Sequence, residues 1–277
     1  MARIQVGDLE IYYEIHGRGP RLLFIGGSGG DLRQKPSISQ GPLAKRFEVL
    51  AYDQRGLGQT TRPLGPYSMA QYADDAAALL DALGWEQCAV MGVSFGGMVA
   101  QELTIRHPER VSRLALACTS SGGAGRPSYP LHELSNLAPN DRAFFTMELS
   151  DTRYDAAWRV ANPESTQKIL ELMERRADVG AGEAGLEEGV RLQLEARRHH
   201  DTFDRLPNLE LPVYLCGGKF DGIAPPENMQ AIERQIPNSS IDFFEGGHLF
   251  LMQDRTAFPR IIEFLADHGE ESRAESS

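Results

Sequence analysis

Short apolar runs alternate along most of the chain with longer stretches of helical periodicity. An alternating pattern at 3–6 and 9–15 predicts a hairpin that turns at Gly7-Asp8. Further runs that suit buried strands lie at 21–25, 48–52, 87–93, 113–118, 213–216 and 240–244. Apolar residues at helical spacing occupy 68–83, 95–106, 226–235 and 256–267. This alternation predicts an α/β fold with a mostly parallel, doubly wound sheet of about eight strands.

The alternation stops in the middle of the chain, between about residues 123 and 206. This interval contains no convincing strand, and it has helical patterns near 132–149, 154–160, 164–177 and 184–200. We therefore predict a helical cap at 123–206, inserted into a core formed by 1–122 and 207–268. The polar residues 269–277 predict a disordered tail.

Charge narrows the class of partner. The chain of 277 residues has a formal net charge of −11 and no basic stripe, which disfavours nucleic acid and anionic membranes. The first eight residues lack the apolar region of a signal peptide, and no segment has the apolar length of a membrane span. These features predict a cytoplasmic protein that binds neither nucleic acid nor membranes, and they leave the oligomeric state open.

The residues that commonly hold metals do not form a ligand set in the sequence. Cys88, Cys118 and Cys216 are odd in number, far apart and inside apolar runs, so we expect small core residues rather than disulfides. His199 and His200 are neighbours that would point apart on a helix, with no nearby residues to complete a site. No metal and no cofactor are predicted.

The motif G-x-S-x-G occurs twice, centred on Ser28 and on Ser94. A catalytic serine in this motif needs a strand before it and a helix directly after it, so that its hydroxyl stands clear at a helix N-terminus. Ser94 follows the apolar run 88–91 and precedes the helical pattern 95–103, whereas Ser28 leads into a polar loop. The context indicates Ser94 as the nucleophile.

A serine nucleophile requires a base and a group that orients the base. His248 is the histidine that follows a strand pattern and two glycines and precedes an apolar run, a position at the carboxyl end of the last strand. Asp221 follows the preceding strand in the same way, whereas the residues after Cys118 include no carboxylate until well beyond the strand. We predict a Ser94–His248–Asp221 triad.

These residues resemble the α/β-hydrolase superfamily over nearly the whole chain. The resemblance rests on the sequence 92–97 around Ser94, on the order Ser, Asp, His, and on the segment 53–60, which is similar to the family's structural D-x-R-G-x-G-x-S/T turn. Within the superfamily the chain resembles the group of 3-oxoadipate enol-lactonases, cofactor-free haloperoxidases and N-acyl-homoserine lactonases. Dehalogenases and epoxide hydrolases of this superfamily have an aspartate nucleophile, which position 94 lacks.

The resemblance also implies an oxyanion hole formed by the backbone N–H groups of Ser28 and Phe95. The family's oxyanion loop usually begins His-Gly, but here it begins Gly26-Gly27. Backbone donors do not require the histidine. The segment 29–32 is similar to the G-T-D-L stretch of enol-lactonases, which points to lactones.

Together these features predict hydrolysis of a carboxylic ester or lactone through an acyl-enzyme on Ser94. Two alternatives keep the same scaffold: transfer of the acyl group to hydrogen peroxide or an alcohol, and a ligand-binding receptor without turnover. The specific substrate is not readable from the sequence. Candidates for an apolar roof over the substrate come from the cap, and they are Trp158, Phe144, Phe145, Met147 and Leu149.

Overall fold

A single eight-stranded sheet runs through the molecule, as a computed structural model of residues 2–266 describes it. The strands are β1 (Ala2–Val6), β2 (Leu9–His16), β3 (Arg21–Ile25), β4 (Glu48–Tyr52), β5 (Cys88–Val93), β6 (Val111–Ala117), β7 (Val213–Gly218) and β8 (Ser239–Phe244). Their order across the sheet is β1-β2-β4-β3-β5-β6-β7-β8, with β2 antiparallel to both neighbours and the other pairs parallel. The predicted mostly parallel sheet of eight strands is confirmed. The predicted tail at 269–277, and positions 267 and 268 of the predicted core, lie outside the described residues.

Helices cover both faces of this sheet. Successive residues of a buried strand point to opposite faces, so Val90 of β5 belongs to one apolar cluster while Ala89 and Met91 belong to the other. The helices are α1 (Met69–Ala82), α2 (Phe95–Arg106), α3 (Pro139–Ser150), α4 (Ala156–Ala161), α5 (Pro163–Ala177), α6 (Leu186–Arg198), α7 (Pro226–Glu233), α8 (Phe250–Gln253) and α9 (Ala257–Ala266). The first cluster contains residues of α1, α2 and α7, and the second contains residues of α8 and α9. Among residues 2–266, no helix is long and apolar enough to cross a membrane.

Helices α3 to α6 fill the interval between β6 and β7. The predicted helix at 132–149 is wrong in its first part, which forms a separate 3₁₀ turn at Leu131–Asn136. The break occurs because Ala138, with ψ 149°, precedes a proline, a position that disfavours the helical conformation, and Pro139 then begins α3. Helix α6 differs from the other three because its Leu192 and Ala196 belong to the main apolar core.

The cysteine prediction agrees with the structure. Cys88, Cys118 and Cys216 are free and buried. Cys118 directly follows β6 and Cys216 lies on β7, and the N–H of Cys118 donates to the carbonyl of Cys216 at 2.9 Å. Their separation in sequence therefore conceals a close approach in space.

Candidate active site

Ser94 occupies a sharp turn between β5 and α2. Its backbone has φ 56° and ψ −117°, a conformation that costs a non-glycine residue free energy and that the surrounding contacts must hold. The turn also brings the strand and the helix unusually close. A Cβ atom at Gly96 would lie 2.1 Å from the carbonyl oxygen of Ile25, and one at Gly92 would lie 2.3 Å from that of Gly96. Only glycine fits at either position.

The structure brings the three predicted triad residues into one hydrogen-bonded chain. Ser94 Oγ lies 2.9 Å from His248 Nε2, and His248 Nδ1 lies 2.7 Å from Asp221 Oδ2. The Asp221 side chain is fully buried and that of His248 is largely buried. A serine hydroxyl, an imidazole and a carboxylate in this order are the arrangement that nucleophilic acyl transfer requires.

The buried pair determines the charge state of the imidazole. Burial, the largest single influence, lowers the pKa of His248, but the Asp221 carboxylate and the Cys118 side chain beside it together raise this pKa by more, so that the net pKa is well above the ordinary value. The carboxylate thus favours the protonated imidazolium form of His248. It also fixes Nδ1 as the protonated nitrogen of the neutral ring, which leaves Nε2 free to accept.

Asp221 is itself held by its own loop. Its second oxygen, Oδ1, accepts hydrogen bonds from the N–H groups of Ile223 at 2.8 Å and Ala224 at 2.9 Å. Three other acids lie close to His248 in sequence, and each is engaged elsewhere. Asp242 accepts from Tyr214, Glu245 accepts from Lys219, and Asp254 accepts from Thr256. In the described part of the chain, Asp221 is therefore the carboxylate placed to orient His248.

Two carbonyls at the end of α3 hold the loops of the acid and the base. Leu149 O accepts from the N–H of Gly222 at 3.0 Å, and Ser150 O accepts from the N–H of His248 at 2.6 Å. A Cβ at Gly247 would lie 2.0 Å from Ser150 O, so the approach requires glycine there. Sequence reasoning missed this contact, because backbone acceptors leave no trace in residue type beyond the glycines that make room for them.

The loop around Ser28 lies beside the candidate nucleophile. A Cβ at Gly27 would lie 3.5 Å from Ser94 Cβ and 4.0 Å from Ser94 Oγ. The N–H groups of Ser28 and Phe95 donate to no residue within 2–266. The Ser28 hydroxyl is buried and also lacks a partner there. Two free backbone donors close to a nucleophile are what an oxyanion hole requires.

The segment 53–60 is a structural turn next to this loop. Asp53 accepts from the N–H of Leu32 at 2.7 Å and from that of Gln59 at 2.8 Å, which ties the turn to the end of the Ser28 loop. Burial raises the pKa of Asp53 to about 6, although the hydrogen bonds from Gln59 and Leu32 oppose the shift. Arg55 forms a bidentate pair with Asp75 at 2.8 and 2.7 Å.

The candidate roof residues occupy several positions on α3 and α4. Met147 is fully buried, Leu149 is half-buried, and Phe144 and Phe145 are exposed to 40% and 36%. Trp158 is half-buried and packs on Tyr154 with 4.5 Å between ring centroids. Phe145 contacts Tyr129 edge-on, and Arg159 lies over Phe144. Their contact with a substrate stays a prediction.

The described residues include one group with the elements of a metal site. Ligand atoms of Cys118, Asp221 and His248 lie within 4.8 Å of one another. However, both nitrogens of His248 and one oxygen of Asp221 already bind within the Ser94–His248–Asp221 chain. His200, one of the paired histidines, is buried, and burial lowers its pKa to about 3, whereas His199 is exposed.

Comparisons with known proteins agree with the fold. The family model described as alpha/beta hydrolase fold matches residues 20–254. A protein of Azorhizobium caulinodans named as a carbamate hydrolase is 31% identical over 88% of this chain and 90% of its own. A 3-oxoadipate enol-lactonase of Acinetobacter baylyi is 27% identical over 92% of each chain. The crystal structure of an enol-lactonase from Burkholderia xenovorans has a TM-score of 0.77 at 22% identity, covering 96% of this chain and all of its own. The chain belongs to the α/β-hydrolase family, and the predicted superfamily resemblance is confirmed.

Proposed function

We propose that the protein hydrolyses a carboxylic ester or lactone of a small molecule through an acyl-enzyme on Ser94. The observation that carries this proposal is the continuous chain from Ser94 Oγ through His248 to Asp221, at 2.9 and 2.7 Å. The chain is a hydrolase family member, and the named relatives include a lactonase and a carbamate hydrolase. These relatives support water as the acceptor of the acyl group.

The first half of the reaction forms the acyl-enzyme. Ser94 Oγ attacks the acyl carbon while its proton passes to His248 Nε2, and the electron pair of the carbonyl bond moves to the oxygen. The N–H groups of Ser28 and Phe95 bind this oxyanion. Collapse of the tetrahedral intermediate expels the alkoxide, which takes the proton from His248.

The second half releases the acid. Water loses a proton to His248 Nε2 as its oxygen attacks the ester carbon of the acyl-enzyme. The second tetrahedral intermediate collapses, Ser94 Oγ leaves and recovers the proton from His248, and the acyl group departs as a carboxylic acid. With a lactone, the leaving hydroxyl remains attached to the acyl group, so the product is one hydroxy acid.

The proposal is tested by steady-state hydrolysis of p-nitrophenyl acetate and a panel of lactones. We expect turnover by the wild type, and a fall in kcat of at least about 10³-fold in folded Ser94→Ala and His248→Ala, because these residues act as a unit. Ser94→Ala with a tenth of wild-type activity, or a wild type that binds esters and lactones but hydrolyses neither, would contradict the proposal. Faster perhydrolysis than hydrolysis in the presence of hydrogen peroxide would contradict water as the acceptor.

A further inference from the structure

The loop beside Ser94 has little to hold it in its own sequence. Four of the five residues in the segment 26–30 are glycines, and Gly29 has φ 64°. Within this segment one backbone hydrogen bond forms, from the N–H of Gly30 to Gly27 O at 3.2 Å. Because glycine populates many backbone conformations, contacts from outside the loop must set the direction of its N–H groups.

Two glutamine side chains from distant elements supply such contacts. Gln54 Nε2, after β4, donates to Gly26 O at 2.9 Å. Gln193 Oε1, on α6, accepts from the N–H of Gly29 at 2.8 Å. The first contact fixes the peptide between residues 26 and 27, and the second fixes the peptide between 28 and 29. The peptide that lies between them carries the N–H of Ser28.

The side-chain amide of Gln193 makes a single hydrogen bond within residues 2–266, the one to the N–H of Gly29. The side chain of Gln193 is fully buried, and its Nε2 has no hydrogen-bond partner within 2–266. A buried donor without a partner is destabilising, and no hydrogen bond of Nε2 contributes to holding the side chain. The amide is therefore oriented by its bond to Gly29 and not by a second bond.

Helix α6, which carries Gln193, is packed closely against the core. A Cβ at Gly189 would lie 1.9 Å from the carbonyl oxygen of Gly56, so the helix backbone touches the core there. Leu192 belongs to the main apolar cluster. The backbone of α6 at Gln193 is therefore held in place by packing against the core.

We propose that Gln193 is a positioning residue for the oxyanion hole, which together with Gln54 prevents the Ser28 peptide from turning its N–H away from Ser94. This inference rests on the proposed function. It assigns α6 a role in stabilising the transition state. Since the oxyanion bond strengthens as charge develops, loss of the contact should lower kcat more than it raises KM.

The test is Gln193→Met, which keeps the length of the side chain and removes the acceptor for Gly29. With p-nitrophenyl acetate we expect kcat to fall by about 10- to 100-fold and KM to change by less than about 3-fold, a smaller loss than full removal of an oxyanion donor. The inhibition constant of phenylboronic acid, whose tetrahedral adduct places an oxygen in the hole, should rise by the same factor as kcat/KM falls. The midpoint of the pH profile should not move, because the contact of His248 with Asp221 is intact.

Two control variants separate positioning from general destabilisation. Gln34→Met removes a longer bond of 3.3 Å to Gly29 O, which does not flank the peptide between residues 27 and 28. Leu80→Ala removes buried apolar volume from α1 in the main apolar cluster, far from the loop and from α6 in sequence. Both should keep kcat within about 3-fold of wild type when measured below their unfolding transitions. If Gln193→Met does not fold, Gln54→Met replaces it, with the same expected loss of kcat.

Four results would overturn the inference: an unchanged kcat, a rise in KM alone, a moved pH midpoint, or an equal loss of kcat in either control. If Ser94→Ala is inactive and Gln193→Met is as active as wild type, this inference alone fails. If Ser94→Ala retains activity, the proposed function fails, whatever Gln193→Met does.

Discussion

At Ser94 a strained backbone and a hydrogen bond to His248 act on the same side chain. The φ of 56° lifts the hydroxyl out of the strand, and the imidazole 2.9 Å away is placed to take its proton. The carboxylate of Asp221 then decides how readily His248 holds that proton. Each of these effects belongs to one residue and can be tested by changing that residue.

The pH dependence of activity tests the role of Asp221. Because Asp221 raises the pKa of His248, and because only neutral His248 can accept the serine proton, kcat/KM of the wild type should rise with pH along a limb with its midpoint above about 6.5. Asp221→Asn removes the negative charge, so the pKa of His248 should fall and the limb should move to lower pH. We also expect kcat to fall by about 10³–10⁴-fold, because the wrong tautomer becomes accessible. A near-normal rate with an unmoved limb would show that another group orients His248.

Substitutions of Ser28 distinguish its backbone from its hydroxyl. Ser28→Ala keeps the N–H and should retain most of kcat, whereas Ser28→Pro removes the N–H and should lower kcat by about 10²-fold or more. Steady-state hydrolysis of p-nitrophenyl acetate measures both, with circular dichroism as the control for folding. A large loss in Ser28→Ala would mean that the hydroxyl takes part in the reaction.

The sequence indicated the candidate residues that local neighbours distinguish, and it gave little sign of contacts that depend on distant parts of the chain. Ser94 was separable from Ser28 because a strand precedes it and a helix follows it, both within a few residues. Gln193 contacts a loop 164 positions away. Its one local sign is that a glutamine lies in the buried stripe of α6 with Leu192 and Ala196, where an apolar residue is the usual choice.

Two helices of the insertion contact the loops that form the candidate site. The last turn of α3 offers carbonyls to the loops of Asp221 and His248, and α6 contacts the Ser28 loop through Gln193. Periodicity predicted the existence of these helices, but it could not predict which face of each meets the core. The close approach of α6 to Gly56 depends on Gly189. In the sequence alone, a glycine at this position indicates only a lower helix propensity.

Gly189→Ala tests this approach at the scale of the element. The added methyl group would lie 1.9 Å from Gly56 O, so α6 must move away, at a cost of about 1–3 kcal/mol. We expect the Tm to fall by several degrees and kcat to fall with it, because Gln193 moves with the helix. Glu187→Ala, an exposed change on the same helix, should leave Tm and kcat near wild type. A Gly189→Ala enzyme with higher Tm, as expected for alanine in a free-standing helix, would contradict the contact.

At the scale of the whole molecule, the insertion packs into the same apolar core as the sheet. Leu192 and Ala196 of α6 lie in the same apolar cluster as Val90 and Leu114 of the sheet. The alternation of strands and helices predicted the sheet well, because apolar runs and helical periods are local features. It could not predict that the inserted segment would share the core, since that depends on contacts between segments far apart in sequence.

The two tryptophans allow us to measure whether the insertion and the main core unfold together. Trp85 is buried in the main core and Trp158 lies on α4 of the insertion, so Trp158→Phe and Trp85→Phe each leave one reporter. We expect the fluorescence transitions of both variants in urea to coincide with the loss of helical circular dichroism, as one cooperative unit requires. A lower midpoint for the reporter at Trp158 would show that the insertion unfolds separately.

The central claim is that Ser94 is the nucleophile, and covalent labelling tests it most directly. A fluorophosphonate reacts with an activated serine and stays bound, so intact-protein mass spectrometry followed by peptide mapping reports both stoichiometry and position. We predict one adduct per chain of the wild type, on the peptide that contains Ser94, and no adduct on Ser94→Ala. Equal labelling of Ser94→Ala, or an adduct on the peptide that contains Ser28, would contradict the claim.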